Sequence, residues 1–352
     1  MNWTVRIQDY DILRIRRPFV YVDGTIFSFG FSDDPSGLLS DDRGPMDVYM
    51  MNTNNYEMTV LPHSDSTPLK RSGHSAVLYD KKVYIWGGEF GWDLFPELLC
   101  FDTESSTWSE PATTGTPPTS CRHHCAFVIG KIMYILGGLN EPGGPFSQEI
   151  FTLDLESMQW GELVTEGSPV FDVGTWVCAI DSKVYVFLGE SYYTSWNEGS
   201  CLDMHSKSWR HFQVRGWYPQ LMLSAPFSYK ENIYIFGGRC RLSKTNCNDL
   251  CRFSPATKKW EVVKPAGDAP RPRHLSSCIV CEDRLFLFGG IVNNFEMFGC
   301  LDFHVLDFSP SLRTLSLMAV IYYNLSLQHL PISLRSDAVD MSGITGVRFT
   351  PP

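Results

Sequence analysis

The sequence predicts an all-β fold in which one four-stranded antiparallel unit is repeated six times. Three observations carry this. The stretch from Arg71 to Trp108, RSGHSAVLYDKKVYIWGGEFGWDLFPELLCFDTESSTW, breaks into apolar runs of strand length separated by turn residues, the pattern of a short meander. Its glycine doublet, Gly87-Gly88, returns as Gly137-Gly138, Gly237-Gly238 and Gly289-Gly290, with degraded forms at Gly30-Phe31 and Leu188-Gly189. Successive first members stand 57, 50, 51, 49 and 52 residues apart. The composition agrees: 43% apolar and 14% aromatic residues supply a core, while 28 glycines and 22 prolines supply turns. One such sheet leaves a face uncovered, so the copies must stack.

Within each unit the residues have separate jobs. The doublet ends a strand crowded by its neighbours, where a Cβ has no room and φ > 0 is needed. Trp108, Trp160, Trp209 and Trp260 open the last strand of their units and are placed to wedge between neighbours. Burying one such ring removes roughly 150–250 Å² from water, on the order of 4–6 kcal/mol as an upper bound. The doublet after Tyr-Ile or Leu-Phe, followed by Asp and then Trp at a period near 50, resembles the kelch β-propeller family. The resemblance implies one six-bladed propeller over residues 1–308, with repeats at about 8–60, 61–112, 113–164, 165–214, 215–264 and 265–308.

The two ends of that span fit each other. Met1-Asn2-Trp3-Thr4-Val5-Arg6-Ile7 reads as a fourth strand without a blade, and the sixth repeat, after Asp307-Phe308, reaches Ser309-Pro310 where its own fourth strand should stand. The spare strand is therefore expected to complete blade six and close the ring, leaving no open edge there.

Charge and cysteine usage bound the chemistry. A net charge of −10, from 39 acidic and 29 basic side chains, argues against wholesale nucleic-acid binding but leaves room for a local basic patch. Eleven cysteines without metal-ligand spacing, and with no signal peptide ahead of them, read as reduced thiols of the cytosol or nucleus. No apolar run approaches the roughly 18–20 residues of a membrane span. His123 and His124, as strand neighbours, would point to opposite faces and do not readily share a metal, which speaks against a copper-oxidase type of propeller enzyme; no cofactor is expected.

In a four-stranded meander the start of the first strand, the end of the second and the start of the third share one face of the disc. Sixteen residues before a doublet stand Arg14, Arg71 and Arg273, with Arg122 one step off, and just past a doublet come Arg239, Arg241 and Lys244. Trp176, Tyr192, Tyr193 and Trp196 of blade four lie on the same side, as does His274. If the cations point inward, this mouth of an acidic protein is an anion site. Guanidinium groups hold a carboxylate through two parallel hydrogen bonds, so the C-terminus of a peptide is a natural guest. The alternative for any one arginine is an ion pair with a neighbouring blade. Asp172 and Leu221 replace the arginine in blades four and five, which makes the mouth lopsided.

After the propeller, Ser309-Pro310 is a helix start, with serine as N-cap and proline at the first helical position. Leu312, Leu315, Ser316, Ala319, Val320 and Tyr323 recur as one helical stripe. Its two small central members let a partner approach closely, or let the helix lie on its own propeller. Ser311-Leu312, Ser316 and Val320 are similar to the BC box through which substrate receptors bind Elongin C. Leu330-Pro331-Ile332-Ser333-Leu334 resembles the start of a cullin-2 box, with Ala338 and Val339 at its final apolar position and no second proline near Ser333 as a cullin-5 box would want.

Both boxes in order after six kelch repeats resemble the kelch-repeat substrate receptors of cullin-2 ubiquitin ligases. The resemblance implies a non-catalytic adaptor that binds Elongin B/C and cullin-2 with its RING subunit, and reads C-terminal degrons ending in glycine. Residues 309–340 would form the helical Elongin- and cullin-binding segment, through Leu312, Leu315, Ser316, Ala319, Val320, Leu330, Pro331 and Leu334, and 341–352 a flexible tail. Arg71, Arg122, Arg239, Arg241, Arg273, His274, Trp176, Tyr192 and Tyr193 would hold the degron. A cytoplasmic and nuclear protein is expected. The competing expectation is a plain kelch scaffold on chromatin or actin.

Overall fold

The computed structural model describes residues 1–6, 18–30, 44–91, 93–141, 144, 146–167, 175–187, 197–292, 300, 302–312, 316, 319, 320, 331 and 334. They form six blade sheets in ring order, with a small two-stranded hairpin of Glu89–Phe90 and Asp93–Leu94 beside blade two. Blade one is Phe19–Val22, Thr25–Gly30, Asp47–Asn52 and Met58–Val60. Blade two is Ser75–Tyr79, Lys82–Trp86, Leu98–Asp102 and Thr107–Ser109. Blade three is Cys125–Ile129, Ile132–Leu136, Ile150–Asp154 and Gln159–Glu162. Blade four is Trp176–Ile180, Lys183–Phe187, Glu198–Asp203 and Ser208–Gln213. Blade five is Ala225–Tyr229, Asn232–Cys240, Asn246–Ser254 and Lys259–Val263.

Blade six draws three strands from one end of the chain and one from the other: Ser277–Cys281, Arg284–Phe288, Phe303–Asp307 and Asn2–Arg6. The N-terminal strand runs antiparallel to Phe303–Asp307, with Asn2 opposite Asp307 and Trp3 opposite Leu306. The ring is therefore closed by hydrogen bonds between the chain's two ends, as the spare and missing strands required.

Alternation along each strand explains the stacking. In Ile132–Leu136, Met133 and Ile135 pack toward blade two while Leu136 packs toward blade four. Six apolar clusters result, one between each pair of neighbours, the last joining Ile26, Met51 and Tyr56 of blade one to Phe286, Phe288 and Phe303 of blade six. Each fourth-strand tryptophan sits in the cluster with the preceding blade: Trp108, Trp160, Trp209, Trp260 and, on the closing strand, Trp3, whose ring meets Phe236 of blade five edge-on at 5.2 Å. Blade one has Met58 in that place, opposite Met51.

The doublets behave as crowding demands. Gly88 has φ +91, its N–H donates to Cys121 O of blade three at 2.8 Å, and a Cβ there would lie 2.8 Å from Ser72 O. Blade five departs from the pattern. Its second and third strands run on past the doublet, with a bulge between Phe236 and Gly238, and Leu221–Met222 pairs with Arg239 and Cys240. Leu221 is buried there, which is why an apolar residue stands where blades two and six have arginine.

Of the C-terminal segment, the backbone is helical at Leu312, Ser316, Ala319, Val320 and Leu334; Leu315 and Leu330 lie outside the described residues, as does the 341–352 tail. No described helix is long and apolar enough to cross a membrane.

Candidate functional site: the cationic mouth and the exposed C-terminal leucine

In blades two and six the arginine sixteen places before the doublet enters the first strand with its side chain turned into its own blade. Arg273 has no exposed surface. Its Nη1 donates to Gly289 O at 2.9 Å and to Asp302 Oδ1 at 2.6 Å, its Nη2 to Asp302 Oδ2 at 2.9 Å, and its Nε to Arg271 O at 3.1 Å. His304 Nε2 lies 3.1 Å from the same Asp302 Oδ2 and 3.3 Å from Arg273 Nη2; since the ionised carboxylate can only accept, we assign the proton to Nε2, which then donates to Asp302. Burial would raise the Asp302 carboxyl, but Arg273 and His304 outweigh it and hold it well below the usual carboxylate range. Burial pushes the His304 imidazole down, against the pull of Asp302.

Arg71 repeats the arrangement in blade two. It is 1% exposed, donates to Gly87 O at 3.3 Å, pairs with Glu97, and its guanidinium lies 4.1 Å from the Phe95 ring centroid. Burial lowers its pKa while Glu97 opposes the shift.

These two arginines correct the expectation drawn from the sequence. Arg71 and Arg273 are tie-bars inside a blade, joining the end of the second strand to the entrance of the third, and offer no free guanidinium to a guest. The partner acid sits in the same blade and not in the neighbour.

Arg122 differs because it stands one residue later. The sixteen-place position in blade three is Cys121, which is buried, and the shift by one turns Arg122 the other way. It pairs with Glu89 of blade two, across the blade boundary, and keeps 17% of its side chain exposed. His123 Nε2 is 3.9 Å from the other oxygen of Glu89, while His124 turns inward, Nε2 2.8 Å from Ser75 Oγ and Nδ1 3.4 Å from Cys121 Sγ. The two histidines thus diverge. Burial, helped by His123, pushes the His124 imidazole down to about 4, and burial pushes the Cys121 thiol up to about 12. Among the described residues no group of three or more His, Cys, Asp and Glu is arranged to hold a metal.

The cations that do reach solvent at the mouth cluster on blades five and six. Arg239 is half-buried, with its Nε donating to Lys244 O at 3.0 Å across the hairpin tip. Arg241 is half-buried and tied by its backbone N–H to Gln220 O at 3.0 Å; Lys244 and the neighbouring Leu242 are exposed. Arg271, which the sequence reading passed over, is exposed, and its Nη2 lies 3.5 Å from Cys300 Sγ. No local pattern marks it: Arg271 and Arg273 stand two residues apart, where regular alternation would place both side chains on one side, yet Arg271 is exposed and Arg273 buried. His274 is buried at the boundary of blades five and six, its Nδ1 2.9 Å from Asn246 Oδ1, and Asn246 Nδ2 donates to Ile291 O and Val292 O at 3.1 and 2.8 Å. His274 and Asn246 therefore fix the blade-five hairpin beside blade six. Trp176 lies on the first strand of blade four, with its side chain outside the described residues, as are Tyr192, Tyr193, Trp196 and Arg14.

A second feature lies beyond the ring. Leu312 is 83% exposed, the largest exposure among the described large apolar side chains. Ser316 and Ala319 are exposed with it, Val320 and Leu334 are half-buried, and Pro331 is exposed.

Comparison with known proteins accounts for nearly the whole chain. The KLHDC2/KLHL20/DRC7 Kelch-repeats domain matches residues 18–220, 148–290 and 225–317. Kelch domain-containing protein 3 of Homo sapiens is 32% identical over 95% of this chain and 94% of its own, and the Mus musculus protein is equally similar. Kelch domain-containing protein 2 of Bos taurus is 25% identical over 64% of each. Among solved structures, YjhT superposes with a TM-score of 0.63 over 83% of this chain at 12% identity, which supports the propeller fold alone. With six kelch blades closed by the N-terminal strand and this similarity end to end, the chain belongs to the kelch-repeat family that includes kelch domain-containing proteins 2 and 3.

Proposed function

We propose that this kelch propeller, an interaction module, is the substrate-recognition subunit of a cullin-2/Elongin B/C RING ubiquitin ligase. The observation that carries the reading is Leu312, a leucine left 83% exposed directly after the ring, at the position the BC-box resemblance assigns to contact with Elongin C. A leucine so exposed next to exposed Ser316 and Ala319 is suited to a partner helix that packs closely over small residues. Pro331 and Leu334 stand in the stretch that resembles the cullin-2 box.

Substrate would be held at the mouth. With Arg71 and Arg273 committed inside their blades, the carboxylate of a C-terminal degron falls to Arg239, Arg241 and Arg271, with Arg122 at the opposite side. A guanidinium gives two parallel N–H donors to a carboxylate, and a close fit around the last residue favours glycine. The protein itself makes and breaks no bond. It raises the effective concentration of a charged ubiquitin-conjugating enzyme near the substrate's lysines, in the cytoplasm and the nucleus.

The test is copurification. Leu312→Ser is expected to lose Elongin B/C while keeping the far-UV spectrum and thermal transition of the propeller; retained Elongin B/C would overturn the ligase reading. Independently, a peptide ending in glycine with a free carboxylate should bind, and its C-terminal amide should not. Equal binding of both would remove the degron site and leave the Elongin result standing.

A further inference from the structure

The chain that leaves one blade lies first along the outer strand of the next. Thr114 N–H donates to Met158 O at 2.9 Å and Trp160 N–H returns a bond to Thr114 O at 2.8 Å. Glu166 makes the same pair with Lys207 O and Trp209 N–H, both at 2.9 Å. Arg215 N–H donates to Lys258 O at 2.7 Å, and Ala266 N–H to Met1 O at 3.1 Å, with Ala266 and Gly267 parallel to Asn2 and Trp3. In all four the carbonyl two residues before the fourth-strand tryptophan accepts from the latch, and in blades three and four the tryptophan N–H completes the seat.

Each of these latches is followed by glycine: Gly115, Gly167, Gly216 and Gly267. All four have positive φ, +80, +76, +82 and +81 in chain order, which disfavours any L side chain; at Gly115 and Gly267 a Cβ would also lie 2.4 and 2.2 Å from Trp160 O and Trp3 O, while Gly167 and Gly216 are less crowded. The seat therefore selects an extended residue followed by glycine, whatever the first side chain.

Blade two has the seat without the latch. Ser106, two residues before Trp108, has φ 55, matching Met158 at 53, Lys207 at 53 and Lys258 at 57, so its carbonyl is turned out in the same way. Among the described residues nothing bonds to Ser106 O or to Trp108 N–H. The connection that would fill it, residues 61–70, contains no glycine and is bound elsewhere: Leu61 N–H donates to Val48 O at 2.9 Å, Lys70 N–H to Gly44 O at 3.0 Å, and Pro68 O accepts from Met46 N–H at 2.7 Å. Exposed Glu110 flanks the strand at one end; exposed Glu104, at the other, is paired with Lys81 Nζ at 2.6 Å.

We infer that the outer edge of blade two is a docking seat for a partner polypeptide, which adds an extended residue-glycine segment parallel to Thr107–Ser109 and carries a basic residue beside it. The occupant is read from the four seats that this chain fills itself, and the flanking charge from Glu110. A seat of two hydrogen bonds binds weakly alone and adds to a second contact elsewhere on the partner. It is independent of the ligase reading, since neither the mouth nor the C-terminal segment takes part.

The probe is the acetylated, amidated peptide Lys-Thr-Thr-Gly-Lys, titrated at millimolar concentration into the ¹⁵N-labelled full chain. Saturable shifts are expected at the Trp108 amide and its strand neighbours, with none at the Trp160 and Trp209 amides, whose seats are taken. The same peptide with valine for glycine should bind about tenfold or more weakly. The inference is overturned if Trp108 does not shift, if the valine peptide binds equally, or if the Trp108 amide exchanges with solvent as slowly as Trp160 before peptide is added, which would mean that the chain or a second copy already fills the edge.

Discussion

Replacing Arg273 by methionine separates two roles that a periodic arginine can have in a propeller. In the structure the guanidinium is fully buried and gives hydrogen bonds to Asp302, Gly289 O and Arg271 O. Methionine keeps much of the volume but removes every donor, leaving the Asp302 carboxylate with His304 alone. Breaking a buried ion pair from one side costs about 3–5 kcal/mol, because the remaining charge stays desolvated. With a urea m-value of about 3 kcal/mol/M, the unfolding midpoint should fall by about 1–1.7 M. Adding Asp302→Leu to Arg273→Met removes the orphaned charge and should recover part of the loss, so the double-mutant cycle reports coupling directly. The assay is urea unfolding followed by tryptophan fluorescence. An unchanged midpoint, together with lost binding of a carboxylate-terminated peptide, would refute the internal tie and return Arg273 to the mouth.

Two further outcomes follow from the packing. Trp3→Ala removes the side chain that joins the closing strand to blade five and should cost about 3–5 kcal/mol, read as a drop in the thermal midpoint and as protease cleavage near the N-terminus; a wild-type melt would mean that the strand does not hold the ring. His124 is buried neutral, with its pKa pushed from 6.5 down to about 4, so the unfolded chain takes up its proton first as pH falls. Its contribution is fully present above about pH 6.5 and is lost on going down to about pH 4, on the order of 3 kcal/mol, and the depressed His304 acts in the same direction. Unfolding midpoints measured across that range should fall on acidification, less steeply in His124→Asn, which keeps a hydrogen-bonding partner for Ser75; parallel curves for the two proteins would count against His124 as the source.

The sequence alone determined the repeat, and with it most of the fold. Doublets near a 50-residue period, alternating apolar runs and a tryptophan in the last strand are local signals, and a meander has only one sensible way to use them. The closing strand was legible for the same reason, since Trp3 carries the pattern that the sixth repeat lacks. What the tertiary structure decided was the direction of individual side chains. Arg71, Arg122 and Arg273 look alike in the sequence, yet one residue of register sends Arg71 and Arg273 into their own blades and Arg122 across a blade boundary, because successive side chains of an extended chain point opposite ways. That Arg271 faces water, and that blade two lacks the latch its neighbours have, likewise depends on which carbonyls and N–H groups meet across fifty residues of chain, a relation no local pattern contains.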